Sequence, residues 1–399
     1  MVEHRAKVVG GAGEGAPGIE IHALQEAIRT LSRRFLAKEE IIRLVAISAI
    51  AGEHLVVIGP PGTAKSAIIR SFAELCDAHY FEYLLTRFTE PNELFGPIDM
   101  AAFREGRYER RTEGMLPEAE IVFLDEVFKA NSAILNTLLT VLNERAYTSG
   151  GKVMEVPLIS VFGASNEVPN DEALDAVFDR FLLRVHADNL ESYHFHRLLE
   201  AGLDLEEERV TAVAGRPRLQ PVLKAEHLRR LRAELPRVMR AEASVKSTYK
   251  GLIFQLRSEG VSLSDRRAIK LFKICGASAL LAGRERVTEA DFAILEHAWN
   301  NLDQREIVAE AIRPVLEAYY GENPAERPLQ GAASLEDLAG ELTTLRERLT
   351  GGEPLPDVQL FALLGNLQDL RVALLSHGGE TAESLVSEID RMLEAVFQR

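Results

Sequence analysis

His54-Leu-Val-Val-Ile-Gly-Pro-Pro-Gly-Thr-Ala-Lys-Ser66 is the stretch on which the reading of this chain turns. Leu55 to Ile58 form a short apolar, partly β-branched run that stops at Gly59, and Ala67-Ile-Ile-Arg-Ser-Phe-Ala-Glu-Leu opens helically after Ser66. The order is strand, tight loop, helix. A phosphate is held by backbone N–H groups converging at a helix start, where the helix dipole also favours negative charge. The whole loop, Gly59, Pro60, Pro61, Gly62, Thr63, Ala64, Lys65 and Ser66, with Ala67 behind it, therefore reads as a phosphate cradle. Gly59 and Gly62 admit close backbone approach, Lys65 reaches β/γ oxygens, and the Ser66 hydroxyl suits a magnesium ion. One position departs from the strict pattern: Ala64 stands where a second glycine belongs, as the smallest available replacement.

Working outward, Glu120-Ile-Val-Phe-Leu-Asp-Glu126 is an apolar strand that ends in two carboxylates, with a helix from Ala130 to Asn143 behind it. In α/β sheets the carboxyl ends of the strands form the ligand crevice. Asp125 is expected on the magnesium shell, and Glu126 is expected to orient or deprotonate an attacking water. Leu158-Ile-Ser-Val-Phe-Gly-Ala-Ser-Asn166 is another buried strand; its terminal Asn166 either turns the chain or bonds a γ-phosphate or the water. A short helix from Ala173 to Phe178, Asp179-Arg180-Phe181 and the strand Leu182 to Val185 follow. Arg180 is read either as a surface partner of Asp179 or as a charge offered to a neighbouring subunit's nucleotide.

Upstream, residues 1–20 are Gly-rich and read as a flexible lead, before helices from Ile21 to Arg34 and from Lys38 to Ala51. Between the loop helix and the acidic strand, Phe81 to Leu85 is a second strand. Thr86 to Pro97 reads as irregular, and Phe103 to Arg111 as a short hairpin about Glu105-Gly106. Downstream, the pattern from about Asn189 to Tyr320 is helical. Ser264 is the expected N-cap of an apolar-striped helix, and Thr288 that of a helix from Glu289 to Trp299. Glu322 to Pro328 is a linker. Leu335, Leu338, Leu342, Leu345 and Leu349 make a coiled-coil-like seam, Gly351 to Pro356 breaks it, and segments 360–375 and 384–397 complete a three-helix set. The expected division is lead 1–20, α/β core 21–188, helical domain 189–320, linker 321–331 and helical module 332–399.

The chain has 399 residues, too many for one ordinary core, with 46% hydrophobic and 27% charged residues. No apolar run is long enough to span a bilayer, and residues 1–7 lack the apolar core of a signal peptide; a cytoplasmic protein is expected. Cys76 and Cys275 lie in helical patterns and read as buried thiols rather than a disulfide. His194 and His196 read as incidental, so the expected metal comes with the nucleotide. The net charge of −15 disfavours nucleic acid, and the basic run from His227 to Arg240 reads as a solvated or subunit-facing helix surface.

The order of phosphate loop, Asp-Glu strand, Asn-ended strand, Asp-Arg-Phe and helical domain resembles the AAA+ ATPases, specifically their MoxR branch and within it the RavA type. Gly59 to Ser66, Thr86 to Pro97, Gly106 to Arg110, Leu116 to Glu126, Ala133 to Leu139, Asn143 to Arg145, Ala164 to Glu167 and Asp179 to Phe181 carry the likeness, which spans about residues 22–320. The branch tolerates alanine before the loop lysine. The resemblance implies a P-loop αβα three-layer sandwich around a parallel sheet, a helical lid, and a C-terminal helical extension outside the match. It implies ATP and Mg²⁺ as cofactors, Walker A roles for Lys65 and Ser66, Walker B roles for Asp125 and Glu126, and sensor 1 for Asn166. Arg180 takes the place of an arginine finger acting in trans, and Arg266 that of the lid's sensor 2 arginine, with adjacent Arg267 as the alternative. Thr86 to Pro117 and Tyr147 to Val153 correspond to inserts that face the pore or the partner. The function implied is ATP hydrolysis in a homo-oligomeric ring, expected to be hexameric, acting on a partner with a von Willebrand factor A (VWA) domain. A nucleic-acid motor or loader is the alternative within the same superfamily.

Overall fold

The computed structural model describes residues 18–169, 171–187, 202–203, 219–327, 335–350, 379–397 and isolated positions between 364 and 375. Most of the lead, the His194/His196 pair, part of the linker and the break at Gly351 to Pro356 lie outside the described residues. Helices α1 (Gly18–Arg34) and α2 (Glu39–Ala51) precede β1 (His54–Ile58) and α3 (Lys65–Leu75). Then come β2 (Tyr80–Leu84), α4 (Pro91–Phe95), α5 (Met100–Arg104), β3 (Ile121–Asp125) and α6 (Ser132–Glu144). A hairpin of β4 (Ala146–Ser149) and β5 (Lys152–Glu155) leads to β6 (Ser160–Ser165), α7 (Glu172–Phe178) and β7 (Phe181–His186). Sequence and structure agree on the strands β1, β2, β3, β6 and β7.

The five-stranded sheet has the order β2-β3-β6-β1-β7, with every pairing parallel. β1 sits inside it and is buried at all five positions. Helices cover both faces, which is why the strands read as continuous apolar runs rather than alternating ones. Because the strands are parallel, their carboxyl ends share one edge, where the phosphate loop, Asp125 and Asn166 emerge. Their amino ends share the other, where His54 pairs with Phe181.

Helices Ala225–Val238, Ala243–Ser258, Asp265–Leu281 and Gln304–Glu322 form the lid, and its apolar side chains join the core of the α/β part in one continuous cluster. Polar ties reinforce that joint. The buried Glu53 carboxylate, just before β1, accepts from Lys270 Nζ at 2.7 Å and from Lys273 on the lid helix. Burial pushes the Glu53 pKa up, but Lys273 and Lys270 outweigh it and hold the carboxyl below its ordinary value. Arg184 of β7 donates to the Trp299 carbonyl and lies 3.8 Å over the Phe178 ring. Beyond the lid, Leu338, Leu342 and Leu345 of the leucine seam pack with Leu367, Leu370, Leu374, Val386 and Ile389 in a second apolar cluster, with Leu349 partly buried against it.

Local readings were corrected in three places. Phe103 to Arg111 is not a hairpin: Met100–Arg104 is helical because Asp99 Oδ1 caps it, accepting from the Ala101 and Ala102 N–H groups at 2.8 and 3.2 Å. Arg110 instead forms an isolated antiparallel bridge with Ile98, which precedes the expected hairpin. Within Thr86 to Pro97, Pro91 opens a short helix instead of breaking one, with Glu93 accepting from the Glu90 N–H at 2.7 Å. Glu289–His297 winds as successive 3-10 turns, with the Asp291 carboxylate accepting from the Thr288 N–H at 3.0 Å. Ser264 caps its helix as expected, accepting from the Arg267 N–H at 3.2 Å. Cys76 and Cys275 are free and buried, and among the described residues no helix is long and apolar enough to cross a membrane.

Candidate functional site

The loop after β1 has the conformation its glycines imply. Gly59 has φ +155°, and a Cβ there would stand 2.1 Å from the Ala187 carbonyl oxygen, so only glycine fits. Gly62 has φ +85° with no atom within 4 Å of where a Cβ would project, leaving its backbone open to a ligand. Ala64 is also left-handed, at φ 62° and ψ 17°. Alanine is the smallest replacement for the expected glycine, yet the backbone holds it in a region costing about 1–2 kcal/mol for a residue with a Cβ. Strain of this kind in a ligand loop is stabilised by its surroundings: Thr63 Oγ1 donates to the Pro60 carbonyl at 3.1 Å, and the Ile68 N–H donates to the Ala64 carbonyl at 3.0 Å.

Lys65 is buried, and its Nζ donates to the Gly59 and Pro60 carbonyls at 2.6 and 3.1 Å, so the ammonium lies inside the curve of the loop. Burial lowers its pKa, and the Asp125 and Glu126 carboxylates push the other way. Asp125 ends β3 and Glu126 follows it, with the Glu126 N–H donating to Asp125 Oδ1 at 3.0 Å. Glu126 sits at φ 52°, the left-handed region again. Its Oε1 accepts from Asn166 Nδ2 at 2.6 Å and lies 3.0 Å from Lys129 Nζ. Its Oε2 is buried and has no hydrogen-bond partner among the described residues. An uncompensated buried carboxylate oxygen costs free energy, and it marks a position built to meet something that the chain does not itself supply. Lys65, Ser66, Asp125, Glu126 and Asn166 thus share one edge of the sheet, with a glycine-lined cradle, a buried cation and an orphan acceptor that fit a magnesium nucleotide.

Arg180 and Arg266 are elsewhere. Arg180 immediately precedes β7, whose first residue pairs with His54 at the start of β1. A five-residue strand is about 16 Å long, which separates this guanidinium from the phosphate loop of its own chain. Arg180 Nη1 donates to Asp179 at 3.0 Å, while its Nε is buried without a partner among the described residues. Burial lowers the Arg180 pKa, neighbouring Arg266 lowers it further, and Asp179 opposes both. Arg266 is exposed and donates to Asn143 Oδ1 at 3.0 Å, at the end of α6. Arg267 is buried, donating to the Ala298 carbonyl at 2.8 Å and to Asn300 within the lid. Of the two adjacent arginines, then, Arg266 is the one able to meet a ligand, and Arg267 ties the lid together.

Three features went unread in the sequence. Lys129 lies three residues after Glu126, a spacing that a 3-10 turn converts into contact. Asn131 caps α6 by accepting from the Ile134 N–H, and its Nδ2 donates to the Thr89 carbonyl at 2.8 Å, fixing the turn that carries the exposed Phe88. His54 is buried, near the Leu142 carbonyl through Nε2 at 3.1 Å and accepting from the Val161 N–H at Nδ1, and burial pushes its pKa down to about 4. A basic-looking histidine at a strand start carries no local sign that it is locked neutral.

Comparison with known proteins gives concordant results. Residues 22–231 match the family described as the MoxR domain in the MoxR-vWA-beta-propeller ternary systems, and residues 231–312 match an AAA lid domain. The uncharacterized protein MJ0812 of Methanocaldococcus jannaschii is 37% identical over 354 residues, covering 88% of this chain and 90% of that one. Chaperone MoxR1 of Mycobacterium tuberculosis is 25% identical over 178 residues, 43% of this chain and 46% of its own. A crystal structure of a proposed ATPase from Cytophaga hutchinsonii superposes with a TM-score of 0.60 at 19% identity, over 75% of this chain and 95% of that one, a likeness of fold. With the MoxR profile spanning more than half of its length and the lid profile following directly, the chain belongs to the MoxR family of AAA+ proteins.

Proposed function

We propose that this chain is a RavA-like MoxR ATPase, which hydrolyses ATP at the seams of a homo-oligomeric, hexameric ring in the cytosol and uses the cycle to remodel or activate a protein partner bearing a VWA domain. The residues would divide the task as follows. Gly59 to Ala67 cradle the phosphates and Lys65 offsets their charge. Ser66 and Asp125 would hold Mg²⁺, which supplies charge neutralisation between the phosphates when bound. Glu126 receives the proton of the attacking water, and Asn166 bonds the γ-phosphate or that water. Arg180 serves a neighbouring copy's nucleotide, and Arg266 takes the place of the lid's sensor 2 arginine. In this reading residues 21–188 perform the chemistry and 189–320 form the lid, while 332–399 extend beyond both.

One observation carries the proposal: the orphan Glu126 Oε2 and the paired cations Arg180 and Arg266 occupy opposite edges of one parallel sheet. A single copy therefore cannot bring both to one phosphate. Two copies stacked edge to edge can. The partner assignment leans on the words of the family description, which names MoxR-vWA-beta-propeller ternary systems. The test is phosphate release per chain as a function of protein concentration, followed alongside light scattering. Turnover should rise steeply as assemblies form and collapse on dilution to single copies; constant specific activity across that range, or no adenine-nucleotide binding at all, refutes the proposal. Co-purification with a VWA protein encoded beside it tests the partner separately.

A further inference from the structure

We propose that Lys129 is a positioning residue for Glu126, holding one carboxylate oxygen so that the other is presented to the attacking water. The inference rests on the assignment of Glu126 as the proton acceptor. The Glu126 side chain is 15% exposed, and both donors that reach it, Asn166 Nδ2 at 2.6 Å and Lys129 Nζ at 3.0 Å, meet the same oxygen. Oε2 is left buried and without a partner among the described residues. A glutamate has three side-chain torsions, and an arrangement with two donors on one oxygen and none on the other removes most of that freedom in a defined direction.

The backbone builds this arrangement rather than leaving it to chance. Glu126 is left-handed, Val127–Lys129 forms a single 3-10 turn, and the Lys129 N–H donates to the Glu126 carbonyl at 2.8 Å, which closes the turn and returns the lysine over the carboxylate. Asn131 anchors the far end of the turn to α6 and to the Thr89 carbonyl. The Lys129 side chain is itself 57% exposed. An ion pair that open contributes at most about 1 kcal/mol to stability, so stability does not explain a strained backbone that delivers it. Orientation does. Asn166 also has a second task at the phosphate, and when its amide turns to that task Lys129 is the donor that remains on Oε1.

The experiment compares steady-state ATP turnover and mant-ATP binding in assembled wild type, Lys129→Met, Lys129→Arg, Glu126→Gln and the Lys129→Met/Glu126→Gln double variant. Lys129→Met should lower kcat about tenfold with KM within about twofold, because misorientation of a bound group acts on the reacting state. Lys129→Arg should recover most of the loss, since a cation at that place is what matters. In the double variant the methionine should add nothing to Glu126→Gln. Thermal melting of each variant separates misfolding from misorientation; if Lys129→Met melts early, Lys129→Gln takes its place in the same comparison. Wild-type kcat in Lys129→Met, failure of arginine to recover it, or a further tenfold loss on top of Glu126→Gln overturns the proposal. Full turnover in Glu126→Gln itself would instead remove the assignment of Glu126, and the role of Lys129 with it.

Discussion

The two edges of the central sheet are built in opposite senses. At the carboxyl edge the chain supplies a glycine cradle and a carboxylate with one oxygen unanswered among the described residues. At the amino edge it supplies two neighbouring cations, of which Arg180 has a buried Nε with no acceptor among the described residues. Buried polar atoms are normally paired, so each edge is incomplete in the way the other could satisfy. The strands keep them about a strand length apart in one copy. That contrast is the one the proposed shared site needs, with the carboxylate supplied by one copy and the guanidinium by the next.

Breaking the amino edge should have the largest effect. Arg180→Ala is expected to lower turnover by about 10³ while nucleotide binding, measured by fluorescence of a mant-ATP probe, persists, because a finger acts on the charge that develops in the reacting state. Glu126→Gln at the other edge should cost about 10² or more with binding again retained. The two inactive variants should also complement each other. In an equimolar mixed assembly about a quarter of the junctions join an intact Glu126 to an intact Arg180, and turnover should return in that proportion. Mixtures as inactive as their components would mean that both residues serve the same copy.

A third test sharpens the amino edge through His54, whose contacts with Leu142 and Phe181 adjoin Asn143 and Arg180. Its pKa is about 4 in the folded chain against an ordinary value of 6.5. The unfolded chain then binds more protons than the folded one between those values, so stability is full above pH 6.5 and falls as the pH drops towards 4. The loss by pH 4 should be about 3 kcal/mol from this group, read as a shift in urea midpoint. His54→Gln should flatten that slope. The smallest effect is expected at the carboxyl edge: Ala64→Gly relieves a left-handed alanine and should stabilise the chain by up to about 1 kcal/mol, seen as a higher melting temperature without loss of nucleotide binding.

The strands were legible because each is a short apolar run ending in a residue whose chemistry is visible: Gly59, Asp125, Asn166. The helical insert was not. Asp99 caps Met100–Arg104 through its own side chain, and the competing signal of Glu105-Gly106 as a hairpin turn is locally just as good. Arg266 and Arg267 are equivalent as letters; only burial beneath Ala298 and Asn300 assigns Arg267 to the lid. Lys129 escaped notice because an i, i+3 pair is ordinary in sequence, and its meaning depends on a left-handed Glu126 that no local pattern announces.

By itself the sequence determined the phosphate loop, the acids behind it, the parallel α/β core and the helical domain after it, since each follows from periodicity and from residue types at fixed spacing along one stretch of chain. Tertiary structure alone decided which of those groups meet. Parallel strand order gathers Lys65, Asp125, Glu126 and Asn166 at one edge and sends Arg180 to the other, because the direction in which a strand runs fixes the end at which its flanking residues emerge; Arg266 comes there from the lid by its contact with Asn143.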